Sequence, residues 1–184
     1  MKRPARPITA TYLQNAATFY LERYPSTAEG LRRVLNRRVR RAELAEAPII
    51  DNVQQTIDAI VAKFVGAGMI DDEAFAQTKA RALHRRGTSN KVTRQKLKLA
   101  GVDGATLDRA MAGLDQELHT DPRRREWTAA VALARRRRLG PYRPEKDRKE
   151  RRDRDLAAMA RAGFDYALAR KVIDAVSVES LDED

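Results

Sequence analysis

The sequence predicts an all-α protein, an elongated array of three tandem three-helix repeats with about nine helices. Three observations lead there. The phrase Leu97-Lys-Leu-Ala-Gly-Val-Asp103 returns 62 residues later as Met159-Ala-Arg-Ala-Gly-Phe-Asp165. In each phrase a glycine suited to closing a helix precedes an aspartate suited to capping the next one. The apolar positions that follow agree at the same offset: Leu107 with Ala169, Ala110 with Val172, Met111 with Ile173, Leu114 with Val176. A weaker third copy sets Leu35 and Val39 opposite Leu97 and Gly101. Composition is the third observation: 42% apolar, mostly Ala and Leu, with only 5% aromatic residues. That is enough for a thin core spread along stacked repeats, each burying its apolar face against its neighbours.

Each helix has its own signals. Leu13, Ala17, Tyr20, Leu21 and Tyr24 mark one face of the first, which Pro25 stops. Ser26-Thr-Ala-Glu29 reads as a capping box opening the second, with Leu31, Val34 and Leu35 inward. Pro48 marks the start of the third, whose stripe is Ile49, Ile50, Val53, Ile57, Ile60, Val61 and Phe64, ended by Gly66 and Gly68. Asp71 or Asp72 caps the fourth, which sets Phe75, Ala76, Lys79, Ala80 and Leu83 on one side until Gly87. The fifth runs from about Ser89 to Ala100 and the sixth from Gly104 to about Leu118. Asp121-Pro122 opens the seventh with a cap and a proline at the first helical position. Gly140-Pro141 breaks it, Pro144 starts the eighth, and the ninth follows Asp165. The repeats then span residues 9–70, 71–118 and 119–178, followed by an acidic tail over 179–184.

Net charge is +11, and its distribution matters more than its size. Residues 135–154 hold 11 basic against 4 acidic side chains. Arg135-Arg136-Arg137-Arg138 lies at the end of the seventh helix, and Arg148, Arg151 and Arg152 follow among acids that can pair along a solvated face. The fifth helix carries Lys91, Arg94 and Lys98 along one side with no acid among residues 89–100. The second is similarly rich in arginine. A basic excess of this kind fits a polyanion or an acidic protein surface as partner.

Catalytic and metal chemistry find little support. Cysteine is absent, which excludes disulfides and thiolate catalysis. Asp71-Asp72-Glu73 resembles half of a magnesium site, but acids at a helix start also satisfy its free N–H groups. His84 and His119 lack helix-spaced partners and read as surface residues. No catalytic residue, metal or cofactor is indicated, and an enzyme is disfavoured. There is no apolar run near the ~18 residues of a membrane span, and the cytoplasm is the expected compartment.

The segment Tyr20-Leu-Glu-Arg-Tyr-Pro-Ser-Thr-Ala-Glu-Gly-Leu-Arg-Arg-Val-Leu35 resembles the opening helix pair of the bacterial RecX regulatory proteins. Gly68-Met-Ile-Asp-Asp-Glu-Ala-Phe-Ala76 is similar to that family's Gly-apolar-apolar-Asp-Asp…Phe-Ala signature. Lys96-Leu-Lys-Leu-Ala-Gly-Val-Asp103 and Arg161-Ala-Gly-Phe-Asp165 resemble its later junctions, so the likeness runs over roughly residues 11–177. Val39 departs from it, standing where later repeats have glycine.

The resemblance implies a non-enzymatic regulator in DNA repair, recombination and SOS control. Such a protein docks on the RecA filament on single-stranded DNA and limits its extension. ATPase, strand-exchange and co-protease activities fall as a result. A monomer is the expected state, with weak direct DNA binding as a further expectation. Gly68, Asp71, Asp72, Phe75, Gly101, Asp103, Gly163 and Asp165 are expected to be structural junctions. A fully buried Phe75 would make Phe75→Ala cost about 3–5 kcal/mol. Arg94, Lys98, Arg135, Arg136, Arg137, Arg138, Arg148, Arg151 and Arg152 are the expected filament- or DNA-binding groups.

The chief rival is a stand-alone basic helical DNA-binding module, a helix-turn-helix type hinged at Gly101. Its reading helix would offer Thr106, Asp108 and Arg109 to bases. A helical adaptor for another acidic protein is a third reading.

Overall fold

The computed structural model describes residues 6–181; the basic start at 1–5 and tail residues 182–184 lie outside the described residues. Among those described there are nine α-helices: α1 (Ala10–Leu21), α2 (Ala28–Glu43), α3 (Val53–Gly66), α4 (Asp72–Arg85), α5 (Asn90–Ala100), α6 (Gly104–Glu117), α7 (Pro122–Arg137), α8 (Glu145–Arg161) and α9 (Tyr166–Ile173). Short 3-10 turns cover Gly140–Tyr142 and Glu179–Leu181. The fold is an all-α helical repeat.

The chain divides into two compact units, one of residues up to 75 with 99–106, the other of 76–98 with 107 onward. In the first unit, Leu13, Leu31, Leu35, Ile57, Val61 and Phe64 form a shared core around α1, α2 and α3. In the second, Ala130, Leu133, Met159, Val172 and Ile173 gather from α7, α8 and α9, with Phe164 from the turn between the last two. The 62-residue echo is an echo of burial: Leu35, Leu97 and Met159 are all 0% exposed. Leu107, Ala110, Met111 and Leu114 are buried, as are Ala169, Val172 and Ile173. Val176 breaks the correspondence at 85% exposed, because α9 has already ended.

The same offset governs a hydrogen-bonded clip. In the first unit Thr27 Oγ1 accepts the Gly30 N–H at 2.9 Å and donates to the Ala100 carbonyl at 2.5 Å. In the second, 62 residues on, Ser89 Oγ accepts from Val92 at 3.3 Å and donates to the Ala162 carbonyl at 2.8 Å. One hydroxyl thus caps the start of one helix and takes up a free carbonyl at the end of another. A carboxylate completes each clip. Asp72 accepts the Ala28 N–H at 2.8 Å, and Glu126 the Asn90 N–H at 2.6 Å.

Gly101 and Gly163 follow the clipped carbonyls with φ of +95° and +89°. A Cβ there would stand 2.6 Å from Glu29 Cβ and 2.5 Å from Ser89 Oγ respectively. Val39 needs no glycine, since α2 runs past it to Glu43. Gly163→Ala is expected to lower stability by more than about 1 kcal/mol, from left-handed strain together with the collision against Ser89. Thermal denaturation beside Ser89→Ala checks this, and a wild-type melting temperature would count against the clip.

Several local expectations change. The cap of α2 is Thr27, not Ser26, so the box with Glu29 does not form; Glu29 instead pairs with Arg33 at 2.8 Å. The third helix begins at Val53 rather than near Pro48. Residues 48–50 are drawn into an extended bridge, with Ile8 donating to the Pro48 carbonyl at 2.9 Å and Ile50 donating to the Ile8 carbonyl at 3.1 Å. Phe75 is only half-buried, because it lines an open groove with Tyr20. Its truncation should therefore cost less than the roughly 3–5 kcal/mol of a fully enclosed ring.

Candidate interaction surface

The cations fall into two groups that their sequence context does not separate. α7 starts on Asp121, which accepts the Arg123 and Arg124 N–H groups at 2.7 and 3.0 Å; these bonds hold its carboxyl below the usual range. The helix ends at Arg138, which takes a left-handed φ of 54°. Leu133 and Ala134 turn into the core, leaving Arg135, Arg136, Arg137 and Arg138 exposed. None of these four forms a salt bridge or side-chain hydrogen bond with another described residue. Lys91 and Lys98 of α5 are likewise exposed, while its Leu97 is buried.

The other cations expected at the surface site are already engaged. Arg94 holds Asp108 at 2.6 Å. Arg152 grips Asp174 through two bonds of 2.7 Å, which raise the arginine's pKa and lower the aspartate's. Arg151 lies 3.6 Å from Glu150. Arg148 departs most from the surface role expected of it. Its guanidinium donates to the carbonyls of Pro141 and Val176 at 2.8 Å and of Arg143 at 3.2 Å, tying down the segment after α9. An arginine spent on three backbone carbonyls is a clamp rather than an open phosphate contact.

The junction residues do local structural work. Gly68 takes φ of 69° after α3. Asp71 Oδ1 accepts from Glu73 and Ala74 at 3.0 and 2.9 Å. Asp103 accepts from Thr106 at 3.0 Å, and Asp165 from Leu168 at 2.8 Å. Thr106 is 7% exposed and Asp108 faces Arg94. Two of the three groups a DNA-reading α6 would offer are therefore turned to other uses.

Two buried charge clusters escaped the sequence reading. Asp155, 1% exposed, accepts from the Gly140 N–H at 2.9 Å and from Arg143 at 2.7 and 2.8 Å. Arg125, 3% exposed, donates to Asn90 and to the Met111 carbonyl at 2.9 Å, and pairs with Asp115. Beside it His84 is half-buried rather than a surface residue, and burial followed by the Arg125 charge lowers its pKa. Burial raises the pKa of Glu126 against the Asn90 N–H bond. A charged residue on an inward position was the available signal, since Asp155 stands at the same offset from buried Thr93 as Met159 does from Leu97.

No three His, Asp or Glu side chains among the described residues gather as a metal site would require. No described helix is long and apolar enough to cross a membrane. The geometry offers open guanidinium groups at the end of a helix.

The family profile described as "RecX, second three-helix domain" matches residues 71–111. The chain is 43% identical over 174 residues to "Regulatory protein RecX" of Myxococcus xanthus, covering 94% of this chain and 89% of that one. It is 28% identical over 172 residues to the protein of the same name from Agrobacterium fabrum, covering 94% and 87%. Among solved structures, RecX from Lactobacillus salivarius superposes with a TM-score of 0.58 at 19% identity, covering 95% of this chain and 97% of that one.

Proposed function

This chain belongs to the RecX family, and on that premise we propose that it is a non-enzymatic regulator that binds the RecA filament on single-stranded DNA and limits its extension. Lower filament ATPase, strand exchange and co-protease activity follow from a shorter filament. The observation that carries the reading is the run Arg135 to Arg138, four exposed guanidinium groups at the end of α7 without a salt bridge or side-chain hydrogen bond among the described residues. Exposed Lys91 and Lys98 add to it. Arg148 and Arg152 drop to a supporting role, since their hydrogen bonds are made within the fold. Several weak contacts along a multivalent partner multiply through effective concentration, so a modest surface suffices.

The test is the ATPase rate of the cognate RecA on single-stranded DNA, titrated with this protein at two salt concentrations. Inhibition is expected well below one copy per RecA protomer. It should weaken steeply at the higher salt, because each neutralised phosphate releases counterions. Reversing Arg136 and Arg137 to Glu should remove most of that salt dependence while leaving helicity intact. An unchanged rate with folded protein in excess would discard the reading.

A further inference from the structure

The chain has one Trp, five Tyr and four Phe, and four of these aromatics collect in one part of the first unit. Phe19 and Tyr24 are 55% and 56% exposed on and just beyond α1. The Arg23 guanidinium lies 3.6 Å above the Phe19 ring. Tyr24 leans on Tyr20 with ring centroids 5.3 Å apart. Tyr20 in turn lines a groove of about 260 Å³ with Phe75, Leu99, Arg33 and Arg37. Tyr20 packs with one side against the core of the unit, whereas Phe19 and Tyr24 lie outside that core and are more than half exposed.

We propose that Phe19, Tyr24 and the Tyr20–Phe75 groove form a stacking site for the unpaired bases of single-stranded nucleic acid. Exposed rings beside a guanidinium group offer π-surfaces to successive bases, with Arg37 placed for a phosphate between them. Arg37 is exposed and free of salt bridges among the described residues. Arg33 is already bound to Glu29 at 2.8 Å and to the Leu99 carbonyl at 2.7 Å, and Arg23 to the Phe19 carbonyl at 3.0 Å, so Arg37 is the cation of the groove left for a phosphate. Duplex DNA keeps its bases stacked on one another and cannot use such a surface. The site therefore confers a preference that the arginines of α7, which see only phosphate, do not.

This inference stands apart from the filament reading, since its probe is bare DNA without recombinase. A fluorescein-labelled oligo-dT and a duplex of equal length are titrated with the full chain and with Phe19→Ala/Tyr24→Ala. Single-strand affinity is expected to fall at least about fivefold in the variant while duplex affinity holds. Circular dichroism monitors the variant's fold. In parallel, Tyr24→Trp should show quenched indole emission on adding oligo-dT but not on adding duplex. Equal binding of the two DNAs, wild-type single-strand affinity in the double variant, or an indole signal indifferent to oligo-dT would overturn the proposal.

Discussion

Asp155→Ala is expected to destabilise the protein by about 3–5 kcal/mol, the range for removing one partner of a buried ion pair. Two losses combine. The Gly140 N–H gives up its 2.9 Å bond inside a buried turn, and Arg143 loses both of its carboxylate contacts. Relief by repacking is limited, because a Cβ at Gly140 would already lie 2.8 Å from Ile173 Cα. The Arg143 side chain is 25% exposed, so part of its charge finds water and the upper end of the range is the bound. Asp155→Asn keeps an acceptor without the charge and should fall between wild type and Ala. Urea denaturation of the three proteins checks the order, and an Asn variant as damaged as Ala would put the whole weight on charge.

Arg125→Met should cost a similar ~3–5 kcal/mol, by leaving the Asp115 carboxylate and the Met111 carbonyl without their shared donor. This variant carries a second readout. His84 titrates below its ordinary 6.5 because burial and the Arg125 charge both oppose its cation, while Asp115 favours it. Without Arg125 only burial opposes the His84 cation while Asp115 still favours it, so the His84 pKa should rise, which an NMR titration of the imidazole can follow. In the native chain a folded-state pKa below the unfolded value means that the unfolded chain binds the proton first. The contribution of His84 to stability is therefore complete above about 6.5 and declines as pH falls below that value. In the variant that acid loss should shrink.

Both predictions concern residues whose partners lie far along the chain, which explains why sequence reading passed them over. Asp155 finds Arg143 twelve residues back, and Arg125 reaches Asp115 ten residues back and Asn90 thirty-five residues back. Neither separation belongs to a helical period, so neither leaves a pattern. The junctions behave differently. Asp71, Asp103, Asp121 and Asp165 each accept from N–H groups two or three residues ahead, and that spacing is written in the order of residues.

The sequence by itself determined the helices, the aspartate caps at Asp121 and Asp165 and the inward stripe repeating at 62 residues, because hydrogen bonding within a helix and the side chosen for burial are local matters. It also determined that the chain would carry a large excess of arginine. Only the tertiary structure decided which arginines remain open. Arg148 and Arg152 look like Arg135 to Arg138 in the sequence, yet folding brings Asp174 to one and the Val176 carbonyl to the other. The run at the end of α7 meets no such partner among the described residues. A cation's availability depends on what arrives beside it in space, and no reading of its chain neighbours supplies that.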